Sequence, residues 1–157
     1  MPDIKKTAFI FLSVLSCLVL VFINSCKKEQ SPAKTNSQTT QTSFIVDDTI
    51  VANPTHSSFN SSGNFGIVVY GSGGNPELQI VFWGSQPPAS GTYIITSGQP
   101  SFGKCTFSFS NTHGTSTAIS GSVNVTEGAS SNNAATFSNT SVGGSAGNHI
   151  IRGTITY

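Results

Sequence analysis

Beyond residue 43, apolar residues recur at every second position. Residues 104–110 set Cys105, Phe107 and Phe109 against Thr106, Ser108 and Ser110. Residues 118–127 set Ile119, Gly121, Val123 and Val125 against Ser120, Ser122, Asn124 and Thr126. The C-terminus repeats the pattern with Ile151, Gly153, Ile155 and Tyr157 against Arg152, Thr154 and Thr156. Side chains alternate between the two faces of a strand, so one apolar and one hydroxyl-rich face predict half-buried antiparallel strands. Residues 65–70 and 78–83 are apolar on both faces and read as central strands. Residues 44–46, 49–52, 91–96 and 135–139 are shorter candidates.

The breaks between these runs agree. Gly71-Ser72-Gly73-Gly74-Asn75-Pro76, Gln86-Pro87-Pro88-Ala89-Ser90-Gly91 and Asn111-Thr112-His113-Gly114 are rich in turn formers. No window beyond the N-terminal apolar run has the 3.6-residue period of a helix. About eight short strands at even spacing predict an all-β chain, folded as a single antiparallel β-sandwich or small barrel over residues 43–157. An internal echo, Ile119-Ser120-Gly121-Ser122-Val123 and Ile151-Arg152-Gly153-Thr154-Ile155, places a glycine on the apolar face each time. Such a glycine marks a bulge or a close crossing of another segment.

The N-terminus follows different rules. Lys5 and Lys6 precede an apolar run over residues 8–23. That run, about 16 residues, is shorter than the roughly 20 needed to span a bilayer but suits the core of an export signal. Ile23-Asn24-Ser25-Cys26 then leads into Lys27-Lys28-Glu29-Gln30. This arrangement resembles a bacterial lipoprotein signal, with residues 1–25 removed and Cys26 acylated; Asn24 departs from the smaller residue usual there. The competing reading is an uncleaved anchor helix with Cys26 an ordinary juxtamembrane thiol. Cys17, inside the apolar run, is the poorer cleavage candidate. One acyl chain gives marginal membrane attachment, whereas the two or three that the resemblance implies would give stable anchoring. Residues 26–42 have no large apolar side chain. They cannot bury enough surface to offset their ordering entropy, and are expected to form a tether spanning roughly 20–25 Å.

Charge then narrows the function classes. Of seven basic and six acidic residues, cleavage before Cys26 removes Lys5, Lys6 and Asp3 and leaves five of each. The remaining cations gather in the tether (Lys27, Lys28, Lys34 against Glu29). The domain keeps Asp47, Asp48, Glu77 and Glu127 against Lys104 and Arg152. No basic patch is present to neutralise phosphates, which argues against nucleic acid as a partner. With Cys26 on lipid, Cys105 is left alone and no internal disulfide can form. Stability must come from a core, to which eight phenylalanines in residues 43–157 would contribute roughly 1.5–3 kcal/mol each if fully buried.

Several short patterns together resemble small all-β lipoproteins of unknown function from bacteroidete-type genomes. They are Gly91-Thr92-Tyr93 after a Pro-rich turn, Ile119-Ser120-Gly121-Ser122-Val123, Ala135-Thr136-Phe137-Ser138-Asn139 and the closing Ile151-Arg152-Gly153-Thr154-Ile155. The resemblance covers most of residues 43–157. It implies a fold and a place in the cell envelope, held to a membrane, the outer one by expectation, through acyl chains on Cys26. It brings no site residues with it.

Candidate chemistry is sparse. His56, His113, His149 and the Asp47-Asp48 pair lie far apart and match no zinc or EF-hand spacing, so neither a metal nor another cofactor is expected. No serine sits in a Gly-x-Ser-x-Gly elbow, and no acidic residue is evidently paired with a histidine. Glu77 and Glu127 are a conceivable glycosidase pair, but each sits at a strand end where a solvated charge is ordinary. Catalytic residues are therefore not assigned, and an enzyme is not expected. Cys105 alternates with Phe107 and Phe109 and reads as a buried small hydrophobe. Trp83 ends an apolar strand just before Gly84; core packing is the favoured reading, with outward stacking on a glycan as the alternative. Tyr70, Tyr93 and Tyr157 are further rings suited to sugar contact if exposed. Asp48-Thr49-Ile50 resembles an O-glycosylation acceptor of bacteroidete-type exported proteins, which makes Thr49 a candidate modification site. The expected function is non-enzymatic binding or scaffolding in the envelope, with a glycan or another envelope protein as partner.

Overall fold

The computed structural model describes residues 41–128 and 132–157. The expected signal over residues 1–25, Cys26 and most of the tether lie outside the described residues. The described residues are all-β, as expected, but with eleven strands where the sequence pattern predicts about eight. They are β1 (Ser43–Val46), β2 (Thr49–Ile50), β3 (Thr55–Ser61), β4 (Asn64–Tyr70), β5 (Glu77–Trp83), β6 (Gly91–Ile95), β7 (Lys104–Asn111), β8 (Gly114–Ala118), β9 (Ser122–Thr126), β10 (Ala134–Gly144) and β11 (His149–Thr156). Thr42, assigned to the tether by composition, belongs to the domain. It is buried, and its hydroxyl both donates to the Thr156 carbonyl and accepts from the Thr156 N–H.

The strands form one sheet in the order β2-β1-β11-β10-β9-β6-β7-β5-β4-β3, and β8 bridges β10 and β7. The pairings β7–β8, β8–β10, β10–β9, β9–β6 and β6–β7 close part of this sheet into a ring. β8 and β9 lie along the same edge of β10 in one register (Ala118 opposite Val142, Val123 opposite Phe137) and are interrupted at residues 119–121. The first part serves β7 and the second serves β6. One pairing departs from the antiparallel expectation. β6 runs parallel to β7 over two residue pairs, Ile94–Lys104 and Ile95–Cys105, because residues 96–103 carry the chain back to restart beside β6.

The core is the inward face of this sheet. Leu78, Ile80 and Phe82 of β5 are buried with Cys105, Phe107 and Phe109 of β7, Ile67 and Val69 of β4, and Ile151 and Ile155 of β11. The Phe107 and Phe137 rings meet edge-on across the interior, 5.1 Å between centroids. Cys105 is fully buried, as its alternation predicts, and burial pushes its thiol pKa up to about 12. Of the eight phenylalanines, Phe44, Phe65, Phe82, Phe107, Phe109 and Phe137 are buried. Phe102 is exposed and Phe59 half-buried on the outer face. Ile119 also leaves the expected pattern and is 74% exposed, because it falls in the interruption between β8 and β9. The echoed glycine does mark a close approach. A Cβ on Gly153 would collide with Ser43 and Phe44 of the neighbouring β1.

Candidate functional site

Strand alternation decides the position of Trp83. With Leu78, Ile80 and Phe82 turned inward, the next residue of β5 must face out, and Trp83 is 58% exposed. This corrects the core packing favoured for it from sequence. The apolar run that precedes it is one buried face of a strand, and the run ends before it covers the other. Gly84 follows at φ +96°, a conformation that side chains rarely adopt, and turns the chain away from the sheet.

Two loops complete the surroundings. The Pro87-Pro88 loop is pinned by the Tyr93 hydroxyl, which donates to the Ala89 carbonyl at 2.9 Å. Its end is clamped reciprocally: the Ser90 N–H donates to the Glu127 carboxylate at 3.3 Å, and the Glu127 N–H donates to the Ser90 hydroxyl at 2.8 Å. The second loop carries Phe102, 86% exposed. It is held by a Lys104 N–H to Ser101 carbonyl bond of 2.8 Å and an Ile94 N–H to Gly103 carbonyl bond of 3.0 Å. The Trp83 and Phe102 rings meet edge-on, with centroids 6.3 Å apart and planes at 78°. Together the two loops and the end of β5 enclose a cleft of about 470 Å³, with Trp83, Phe102, Tyr93 and the two prolines as its apolar surfaces and Ser85, Gln86, Thr92 and Ser101 as its polar rim. Tyr93 is half-buried; its ring packs edge-on against Phe82 at 5.0 Å, and desolvation raises its hydroxyl pKa. Phe102 was not singled out from sequence as a site residue. Its position between Pro100-Ser101 and Gly103, outside any alternating run, was the available signal.

The other candidates are dispersed. Tyr157 lines an adjacent cleft with Glu127, Asn133, Pro87 and Pro88, so the proline loop forms a wall shared with the Trp83 cleft. Tyr70 is at the end of β4, paired with Glu77 at the start of β5. No histidine lines the Glu127 cleft. Among the described residues, no group of three or more His, Cys, Asp or Glu side chains is placed to hold a metal.

One expectation is overturned outright: an acidic residue is paired with a histidine. Asp47 and Asp48 form the two-residue turn between β1 and β2, both at positive φ as a type I′ hairpin requires. The β1–β11 register then brings Asp47 beside His149 and Ile150. His149 Nδ1 lies 2.6 Å from the Asp47 carboxylate and Nε2 lies 2.9 Å from the Ala146 carbonyl. Both neighbours are acceptors, an arrangement that favours the doubly protonated imidazolium. The bond to Asp47, followed by that to Ala146, raises the His149 pKa; the same bond and the Ile150 N–H lower that of Asp47. Held by a hydrogen bond at each ring nitrogen, His149 ties the β1–β2 turn to β11. Exposed Thr49 lies beside it, lining the same depression as Asp47 and His149. Asp48 pairs with Arg152 at 2.8 Å.

Comparison with protein-family models, curated proteins and solved structures gives no match to this chain.

Proposed function

We propose that this chain is an exported, acyl-anchored envelope protein whose β domain binds carbohydrate in the Trp83 cleft. The observation that carries the reading is the exposure of Trp83 and Phe102, set edge-on beside a cleft with a hydroxyl- and amide-bearing rim. A pyranose ring has an apolar face of C–H groups and an edge of hydroxyls. An exposed indole supplies a flat apolar surface for the first, and a rim of serine, threonine and glutamine supplies partners for the second. Two large aromatic side chains held in solvent give up hydrophobic stabilisation that burial would provide, roughly 1.5–3 kcal/mol for a residue such as Phe. A ligand that covers them recovers it. The loops that frame the cleft are tied by side-chain bonds at Tyr93 and Ser90, so the site is largely formed before a ligand arrives. Acylation at Cys26 would hold this cleft outside the cytoplasm at a membrane surface.

The test is binding of the full chain, in detergent micelles, to an array of polysaccharides. Retention on at least one glycan, lost in both Trp83→Ala and Phe102→Ala, supports the reading. Retention on none, or retention unchanged by both substitutions, contradicts it.

A second reading has its own observation. β3 is seven residues long and, among the described residues, pairs with β4 alone, which leaves its outer edge without a strand partner there. No charge or proline blocks that edge, so a strand from another envelope protein could add to it. Binding of such a partner would be weakened by Ser58→Pro or Asn60→Pro, whose N–H groups face away from β4, and unaffected by Trp83→Ala.

A further inference from the structure

We infer that the Trp83 cleft takes a negatively charged saccharide, one bearing a carboxylate or sulfate, and that the Lys104 ammonium is the group that recognises the charge. The inference rests on the carbohydrate reading above and adds the class of sugar. Strand register carries it. β5 pairs with β7 so that Phe82 stands opposite Cys105, which sets Trp83 opposite Lys104. β6 pairs with β7 so that Ile94 also stands opposite Lys104. Phe82, Cys105 and Ile95 point inward and are buried, so Trp83, Lys104 and Ile94 form one row across three strands on the outer face, all exposed. Adjacent strands are about 4.8 Å apart. A cation therefore stands between two exposed apolar side chains, beside Trp83 and next in sequence to Gly103 of the cleft wall, although Lys104 does not itself line the cleft.

The charge inventory makes that cation distinctive. Charged residues are only 8% of the chain, and Lys104 and Arg152 are the two Lys or Arg side chains among the described residues. Arg152 is committed to Asp48 at 2.8 Å. Lys104 forms no ion pair and no side-chain hydrogen bond among the described residues. No charged side chain of either sign lines the cleft itself, so Lys104 is the cation nearest to it along the chain. Glu77 is on the same strand as Trp83 but six residues away, on the order of 20 Å at strand rise. Asp47 and Asp48 are engaged at the β1–β2 turn. Glu127 is behind the opposite end, bonded to Ser90. By the β6–β9 register, that end is displaced from Lys104 by about five residues, on the order of 15 Å. Lys104 thus places positive charge beside the indole, and Glu127 places negative charge beyond the proline loop. A sugar stacked on Trp83 with its anionic group toward Lys104 satisfies both ends, and the reversed orientation sets like charges together.

The experiment is affinity electrophoresis of the full chain in detergent micelles. The gels contain polygalacturonate, alginate or dextran sulfate, and matched gels contain carboxyl-reduced polygalacturonate, carboxyl-reduced alginate or dextran. At least one acidic polymer is expected to bind about fivefold or more tightly than its neutral counterpart, and to weaken as salt rises from about 0.05 to about 0.5 M. Lys104→Gln is expected to reduce acidic binding about three- to tenfold and to leave neutral binding unchanged, the range for an exposed charge-assisted contact. A preference for carboxylated over sulfated polymers, or the reverse, identifies the anionic group. Equal binding of acidic and neutral polymers, or acidic binding indifferent to Lys104→Gln yet lost in Trp83→Ala, overturns the inference and leaves the carbohydrate reading standing. Retardation in no gel overturns both.

Discussion

Phe59 of β3 stands directly opposite Gly66 of β4, and its ring fills the space that a Cβ on residue 66 would occupy. The outer face of β4 would otherwise leave Gly66 and Val68 open to solvent, yet both are buried. An aromatic residue on an edge strand thereby covers a glycine on its neighbour. Gly66→Ala is expected to displace the ring and destabilise the domain by about 1–3 kcal/mol, the usual cost of overpacking. In a Phe59→Ala background the same change is expected to cost far less, because the obstructing ring is gone. Urea midpoints for the two single variants and the double variant measure this coupling.

The Asp47–His149 clip makes stability depend on pH in both directions. Asp47 has a lowered pKa in the fold, so its share is present above the unfolded value near 3.8 and is lost as pH falls through the folded value. His149 has a raised pKa, so its share is complete below about 6.5 and is lost as pH rises through the folded value. Stability should therefore be greatest between about pH 4 and 6.5. The amplitude should stay under about 1 kcal/mol, because the Asp47 side chain is 51% exposed. Melting temperatures from pH 4 to 9 should show an alkaline decline in the wild type that flattens in Asp47→Asn. An identical slope in both would refute the clip.

The Thr140 hydroxyl is buried with no hydrogen-bond partner among the described residues. Thr140→Val keeps the shape and removes the unsatisfied group, and should stabilise the domain by about 1 kcal/mol, read from urea denaturation.

Anchoring has an independent test. Metabolic labelling with an alkyne fatty acid should tag the wild-type chain and fail to tag Cys26→Ser. Equal labelling of the two would remove Cys26 as the acylated residue.

The parts of the fold legible in sequence were those with a continuous apolar face, or, for β4 and β5, apolar residues on both faces. β7 shows this plainly, with Cys105, Phe107 and Phe109 turned inward in strict alternation. β3 was not legible, because an edge strand with six polar residues and one phenylalanine has no apolar period to detect. β8 was hidden for a different reason. Its inward positions are Ser116 and Ala118, and Ser116 is satisfied by a 2.8 Å bond to the Gly147 carbonyl rather than by apolar contact. The Asp47–His149 pair joins residues 102 positions apart, and only the β1–β11 register brings them together. Trp83 was legible as a strand terminus, but its direction depended on which face of β5 was buried. Alternation from Phe82 settles that once the core is known.

Trp83 is the only tryptophan in the chain, so its fluorescence reports on the cleft alone. In the free protein its emission should be that of a solvent-exposed indole. Titration of the full chain with a polysaccharide that it retains should shift the emission to the blue and saturate with the binding curve, as the sugar face replaces water on the ring. Binding that leaves the emission unmoved would place the ligand elsewhere and contradict the carbohydrate cleft.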